Sequence, residues 1–205
     1  MPRPVVTFLR MARSSDPGAC AEGSPFSDAP CTDCAAPCCA SLRARLTTVE
    51  ALRIAGGLAV PLDDVVERIP DADQHHPWFT VPLPVNGGYE TLALRRTDPG
   101  ACQFLHAVGT RGRCAIHSLR AGVCRLYPYD VSYRGKHVVV GDQELCPRAW
   151  LVGADTPRRV RRDLDGWLRD LAAERDLVSA WSRRPRAGRT WPAFVDFAQR
   201  RARPR

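Results

Sequence analysis

The sequence predicts an α+β protein: a small, irregular cysteine-rich domain with short helices and β-hairpins around a metal site, continued by a C-terminal α-helical extension. Three observations predict it. Eight of nine cysteines fall into two groups, one packed as Cys31-Thr-Asp-Cys34-Ala-Ala-Pro-Cys38-Cys39, the other spread over Cys102, Cys114, Cys124 and Cys146. Asn86-Gly87-Gly88 lies between two apolar runs and tolerates the positive φ of a hairpin turn. Val160, Leu164, Trp167, Leu168, Leu171, Val178 and Trp181 recur mostly at steps of three, four and seven, which makes one apolar helical stripe.

Taken in order, residues 1–30 are a flexible leader, because 11–30 are rich in Gly, Pro, Ser and Ala. The metal-binding domain is expected over 31–150. A helix is predicted from Val49 to about Ala55, with Thr47 and Glu50 as a capping box and Gly56-Gly57 as the stop. A second short helix is predicted from Leu62 to Ile69, favoured by Asp63 and Asp64 in its first turn and ended by Pro70. Trp78 to Val85 and Tyr89 to Arg95 are the arms of a hairpin, with Pro82 and Pro84 reducing the first arm to an edge strand or irregular segment. Asp130 to Val140 is a second hairpin turning at Arg134-Gly135-Lys136. The extension, 157–205, carries the striped helix, a break from Arg183 to Gly188, and a shorter helix from Thr190 to about Arg201.

The 205 residues suffice for one domain with a core, and the apolar and charged fractions, 44% and 25%, are those of a globular protein. No apolar run approaches the roughly 20 residues of a membrane span. The N-terminal ten residues lack the continuous apolar stretch of a secretory signal. A cytoplasmic location is expected, where thiols stay reduced. That weighs against a disulfide framework, as does the adjacent pair Cys38-Cys39, whose mutual bond would be strained.

The net charge of +8 is carried by 157–205, with fourteen arginines against six acidic residues. Nucleic acid or an acidic protein is therefore a conceivable partner. Against it, Lys136 is the only lysine beside 29 arginines, which suggests arginine-favouring codon usage more than selected phosphate contacts. Trp167, Trp181, Trp191, Phe194 and Phe197 sit at core spacing.

Thiolates are soft ligands, and a Cys-x-x-Cys pair can turn both sulfurs toward one ion. The second group reads Cys102-Gln-Phe-Leu, Cys114-Ala-Ile-His, Cys124-Arg-Leu-Tyr-Pro128 and Cys146-Pro147. With the CxxC…CC run, this order resembles the YkgJ-type cysteine-cluster proteins, a zinc- or iron-chelating domain. The resemblance covers about residues 31–147. It rests on the eight cysteines with Phe104-Leu105, Ile116, Arg120, Arg125 and Pro128 in place. Three residues separate Cys34 from Cys38 where two are commonest, His117 replaces the usual tyrosine, Ala121 the usual proline, and Tyr127 the common phenylalanine.

The expected metal ligands are Cys31, Cys34, Cys38, Cys39, Cys102, Cys114, Cys124 and Cys146. Eight thiolates suit one large cluster or two four-coordinate sites. Iron–sulfur clusters and zinc both take four thiolates. The adjacent Cys38-Cys39 and the Cys146-Pro147 ending lean toward iron–sulfur. His117 would allow mixed sulfur–nitrogen ligation, and Arg120 and Arg125 would offset thiolate charge. Cys20 is expected to be a free thiol. His75-His76, beside Asp71 and Asp73, read as a solvated loop, and His106 would approach Cys102 only if that segment were helical.

No catalytic residue or cofactor-binding segment is identifiable. An enzymatic alternative rests on the similar cysteine cluster of flagellin lysine N-methylases, where the centre would act on a protein side chain. A zinc-stabilised interaction module with a basic tail is the other alternative.

Overall fold

The computed structural model describes residues 26–27, 36–70, 81–97, 100–108, 111–131, 137–141 and 149–202. A short strand β1 (Phe26–Ser27) is followed by α1 (Pro37–Ser41), β2 (Arg45–Leu46), α2 (Thr48–Leu58), β3 (Val66–Pro70), β4 (Leu83–Val85) and β5 (Gly88–Leu94). Then come β6 (Leu105–Val108), β7 (Arg111–Cys114), α3 (Gly122–Leu126), β8 (Tyr129–Val131), β9 (Val138–Val140), β10 (Ala149–Trp150), α4 (Thr156–Ser182) and α5 (Trp191–Ala202). This is an α+β architecture of short helices, small antiparallel sheets and a helical C-terminal segment.

The central sheet is built on β5. Strand β3 runs along one side of it, from Val66 opposite Leu94 to Pro70 opposite Glu90, while β4 and β2 share the other side. The β4–β5 turn places Asn86 and Gly87 at φ of 51° and 82°, the left-handed region that Asn and Gly enter at least cost. Pro84 lies on β4, an edge strand, as its missing N–H requires.

Helix α2 begins with the predicted capping box: Glu50 N donates to Thr47 Oγ1 at 3.1 Å and Thr47 N to Glu50 Oε2 at 2.9 Å. Its end differs from expectation. The helix runs through Gly56-Gly57 to Leu58, and Ala59, at φ 55°, makes the left-handed cap. A Cβ at Gly57 would come within 2.7 Å of Leu119 Cδ1, so glycine there admits a close neighbour rather than stopping the helix.

The predicted helix over Leu62–Ile69 is not formed. Only Leu62–Asp64 makes a helical turn, of 3-10 type, and Val66–Pro70 is the edge strand β3. β-branched Val65, Val66 and Ile69 suit an extended backbone, and five ladder partners on β5 outweigh the first-turn aspartates. Asp63 instead accepts the Trp191 indole N–H at 2.6 Å.

Hairpin β8–β9 is formed as predicted, with its turn residues 132–136 outside the described set. Hairpin β6–β7 was not foreseen. On the other hand, α4 carries the predicted stripe with one exception: Leu168 is 50% exposed, and Glu174 occupies the inward seven-residue register of Val160, Trp167, Leu171, Val178 and Trp181.

Two packed clusters hold these elements. In the larger, Ala51, Ile54 and Ala55 of α2 meet Val66, Leu83, Val85, Leu92 and Leu94 of the sheet, together with Val178 and Trp181 of α4 and Trp191 and Phe194 of α5. Trp181 is fully buried, donates to Pro84 O at 2.9 Å, and meets Phe194 edge-on at 5.3 Å between centroids. In the smaller cluster, Val160, Trp167 and Leu171 cover Leu126, Tyr129 and Val138.

Candidate metal centre

Five of the eight cysteines expected as ligands lie among the described residues, and the fold gathers them from three segments. Cys38 and Cys39 sit on α1, entered through Ala36 in the left-handed conformation. Cys102 follows in space: its N–H donates to Cys39 O at 2.9 Å, while Leu105 N returns to Cys102 O at 2.9 Å. Cys114 ends β7 opposite Leu105, so the β6–β7 ladder brings it back to the Cys102 turn. Cys124 rides on α3. All five are partly buried, and Cys102, Cys114 and Cys124, like Phe104, pack against the larger core that contains Ile116. Cys20, Cys31, Cys34 and Cys146 lie outside the described residues, as do His75 and His76.

Two supports fix α3. Glu50, fully buried, accepts Gly122 N at 2.6 Å through the oxygen its capping box leaves over. Gly122 also lies so near α4 that a Cβ there would fall 2.4 Å from Trp167 Cδ1. One buried carboxylate therefore ties the start of α2 to the start of the Cys124 helix. In the same place Glu174 of α4 accepts Thr48 N at 2.8 Å and Thr48 Oγ1 at 2.7 Å.

The electrostatics tie four thiols together. Burial first, and then the neighbouring sulfurs, raise Cys102 to about 11 and push Cys114 and Cys124 up as well. Cys39 acts on Cys102, Cys114 and Cys124, Cys114 also on Cys102, and both Cys102 and Cys114 on Cys124. Cys39 goes the other way, to about 7, because the Cys38 side chain hydrogen-bonds it and Arg120 stands nearby, which together outweigh burial. A soft cation bound to these sulfurs would offset both the burial cost and the repulsion that keep Cys102, Cys114 and Cys124 protonated. Among the described residues, no three Cys, His, Asp or Glu side chains already stand as a closed ligand set. The donor chemistry, soft thiols beside a guanidinium, fits a thiolate-bound metal.

Of the flanking residues, Arg120 behaves as expected, lowering Cys39, Cys114 and Cys124. Arg125 does not share that role: its Nε faces Asp163 Oδ1 on α4 at 3.6 Å, and it acts on none of the shifted thiols. Among the described residues, Arg125 thus links α3 to α4. Arg96 takes a place the sequence did not advertise. Its guanidinium donates to Ala40 O at 3.2 Å and Ser41 O at 3.4 Å, holding the end of α1, and its charge also favours the Cys102 thiolate. Only its position six residues before Cys102 could have flagged it.

His117 is exposed, and partial burial with Arg120 lowers its pKa, keeping the imidazole neutral. His106 lies on strand β6 and is exposed, so the helical spacing that would bring it to Cys102 does not exist. Phe104 packs on the larger core and Tyr127 on the smaller. Ala121 has φ −56° and ψ 152°, a conformation that proline also adopts, so alanine keeps the backbone of the more usual Arg-Pro.

No curated protein and no solved structure matches the chain. A family model described as CxxCxxCC, a putative zinc- or iron-chelating domain, matches residues 30–147, more than half of the length. The convergence of these cysteines and the order in which they occur thus have a name: the chain belongs to this metal-chelating cysteine-cluster family.

Proposed function

We propose that this protein binds metal through Cys31, Cys34, Cys38, Cys39, Cys102, Cys114, Cys124 and Cys146, with Cys39, Cys102, Cys114 and Cys124 forming one four-thiolate site. The observation that supports this reading is the backbone bond from Cys102 N to Cys39 O at 2.9 Å, with the β6–β7 ladder returning Cys114 to the Cys102 turn. Iron–sulfur is the centre we favour over zinc. Adjacent Cys38 and Cys39 are hard to place on one small zinc ion, and both zinc and iron–sulfur centres accept four thiolates. An iron–sulfur cluster would supply one-electron redox capacity, whereas zinc would supply only a fixed cross-link. This chain's residues do the holding: α1 and the β6–β7 ladder set the sulfurs, apolar neighbours limit water, and Arg120 offsets charge. A cytoplasmic, reducing setting suits Cys39, Cys102, Cys114 and Cys124, which are thiols in this structure.

The test is a series of single Cys→Ser variants purified without oxygen. Cys39→Ser, Cys102→Ser, Cys114→Ser and Cys124→Ser should each lose about half of the bound metal if eight cysteines make two four-thiolate sites. Cys20→Ser should lose none. Equal metal in all five would sink the proposal.

A further inference from the structure

Helix α4 spans six arginines and five acidic residues, so along the sequence it is almost neutral. The fold separates those charges. Asp163 turns toward Arg125 of α3, Asp170 pairs with Arg53 of α2 at 2.6 Å, and Glu174 is buried on Thr48. Three of the five acids are thereby spent inside the molecule. Arg159 leans over the Tyr129 ring at 5.6 Å. What faces outward is Arg158, Arg161, Arg162, Arg169 and Arg175, all exposed, with only Asp165 and Asp176 beside them. None of these five arginines forms an ion pair with a described residue. Codon usage explains many arginines; it does not explain why three of the five acids of the same helix point in.

We infer that the outer face of α4 is a docking surface for the sugar–phosphate backbone of a nucleic-acid duplex, bound without sequence specificity. Arg158 to Arg175 covers about 26 Å at 1.5 Å per residue. Over that length a duplex presents roughly 15 phosphates, at one charge per 1.7 Å. Guanidinium forks suit phosphate oxygens, and a row of them on a straight helix can follow one strand. An acidic protein fits less well, because a protein interface needs an apolar centre. Leu168 is the one large apolar side chain exposed on this helix. None of the described cysteines lies on α4, so the inference does not depend on which metal they hold.

The test is fluorescence anisotropy of the full metal-loaded chain with a labelled duplex of about 20 base pairs, titrated from 50 to 200 mM NaCl. Five phosphate contacts predict a salt slope of about −4.5 and a loss of roughly 500-fold in affinity over that range. Arg161→Gln/Arg162→Gln/Arg169→Gln should flatten the slope to about −1.8, leaving roughly a 12-fold loss. Arg43→Gln/Arg68→Gln/Arg95→Gln removes the same charge from the sheet side and should leave the slope unchanged. Metal content and melting temperature of both variants check that the fold is kept, and Arg161→Gln/Arg162→Gln serves if the triple variant does not fold. Absent binding, a slope shallower than about −1, equal loss in the sheet variant, or polyglutamate bound as tightly as the duplex would each overturn the inference.

Discussion

A single carboxylate, Glu174, shows how finely this fold is set. It is 3% exposed, and burial first, with Glu50 adding repulsion, raises its pKa to about 7. The folded state therefore holds a proton that the unfolded chain releases near 4.5. Between those values the folded state binds more protons, so stability is highest at the acid side and falls as pH rises toward 7. The magnitude is on the order of 3 kcal/mol at most. Glu174→Gln keeps an acceptor for Thr48 N and turns its amide to donate to Thr48 Oγ1, reversing that bond, and should flatten the difference in denaturant midpoint between pH 5 and 7.5 relative to the parent. A variant with the parent's slope would show that another group titrates. Arg120 is the second residue whose removal is informative. Arg120→Gln takes away the positive charge beside Cys39, Cys114 and Cys124 and should weaken metal retention against a chelator by roughly 10-fold.

Among the elements, α3 matters most to the centre, being short and held from outside. Its five residues could not form a stable helix alone. Glu50 caps its start, Arg125 reaches Asp163, and Gly122 lets α4 approach. Gly122→Ala would push a methyl into Trp167 and should cost about 1–3 kcal/mol in chemical denaturation, with metal content falling in parallel as Cys124 shifts. A fully stable variant would mean that α3 sits further from Trp167. At this scale the sequence was legible where a local rule was decisive. Thr47/Glu50 capping, the Asn86-Gly87 turn and the periodicity of α4 all depend on residues close in the chain. It misled where a distant partner decided: Val66–Pro70 is a strand because β5 lies beside it, Gly57 is small because Leu119 needs the space, and Glu174 points inward because Thr48 meets it.

In the whole molecule, the helical C-terminal segment and the cysteine-bearing segment share one core. Leu177, Val178, Trp181, Trp191 and Phe194 pack with Ile54, Leu83 and Ile116, the last lying between Cys114 and Cys124. Truncating Trp181 to alanine should therefore cost about 3–5 kcal/mol and release metal together with tertiary structure, seen as coincident transitions. Separate transitions would mean that the two parts fold independently. No helix among the described residues is long and apolar enough to cross a membrane. The cysteine family was legible from order and spacing alone, since ligand runs are local in sequence. How the cysteine-bearing segments are placed was not, because a backbone bond links Cys102 to Cys39, a strand ladder returns Cys114, and a buried glutamate holds the start of the Cys124 helix. The separation of charge on α4 was equally hidden, since it depends on partners in α2 and α3.

The central claim is that these cysteines hold a metal centre, and its most direct test is metal and acid-labile sulfide analysis with an absorption spectrum on the full chain purified without oxygen. The account predicts iron with matching sulfide and a broad band near roughly 400 nm from thiolate-ligated clusters. Colourless protein with about one or two zinc ions per chain would keep the thiolate sites and replace the redox centre with a structural one. Folded protein that contains no metal and has all nine thiols titratable would contradict the account.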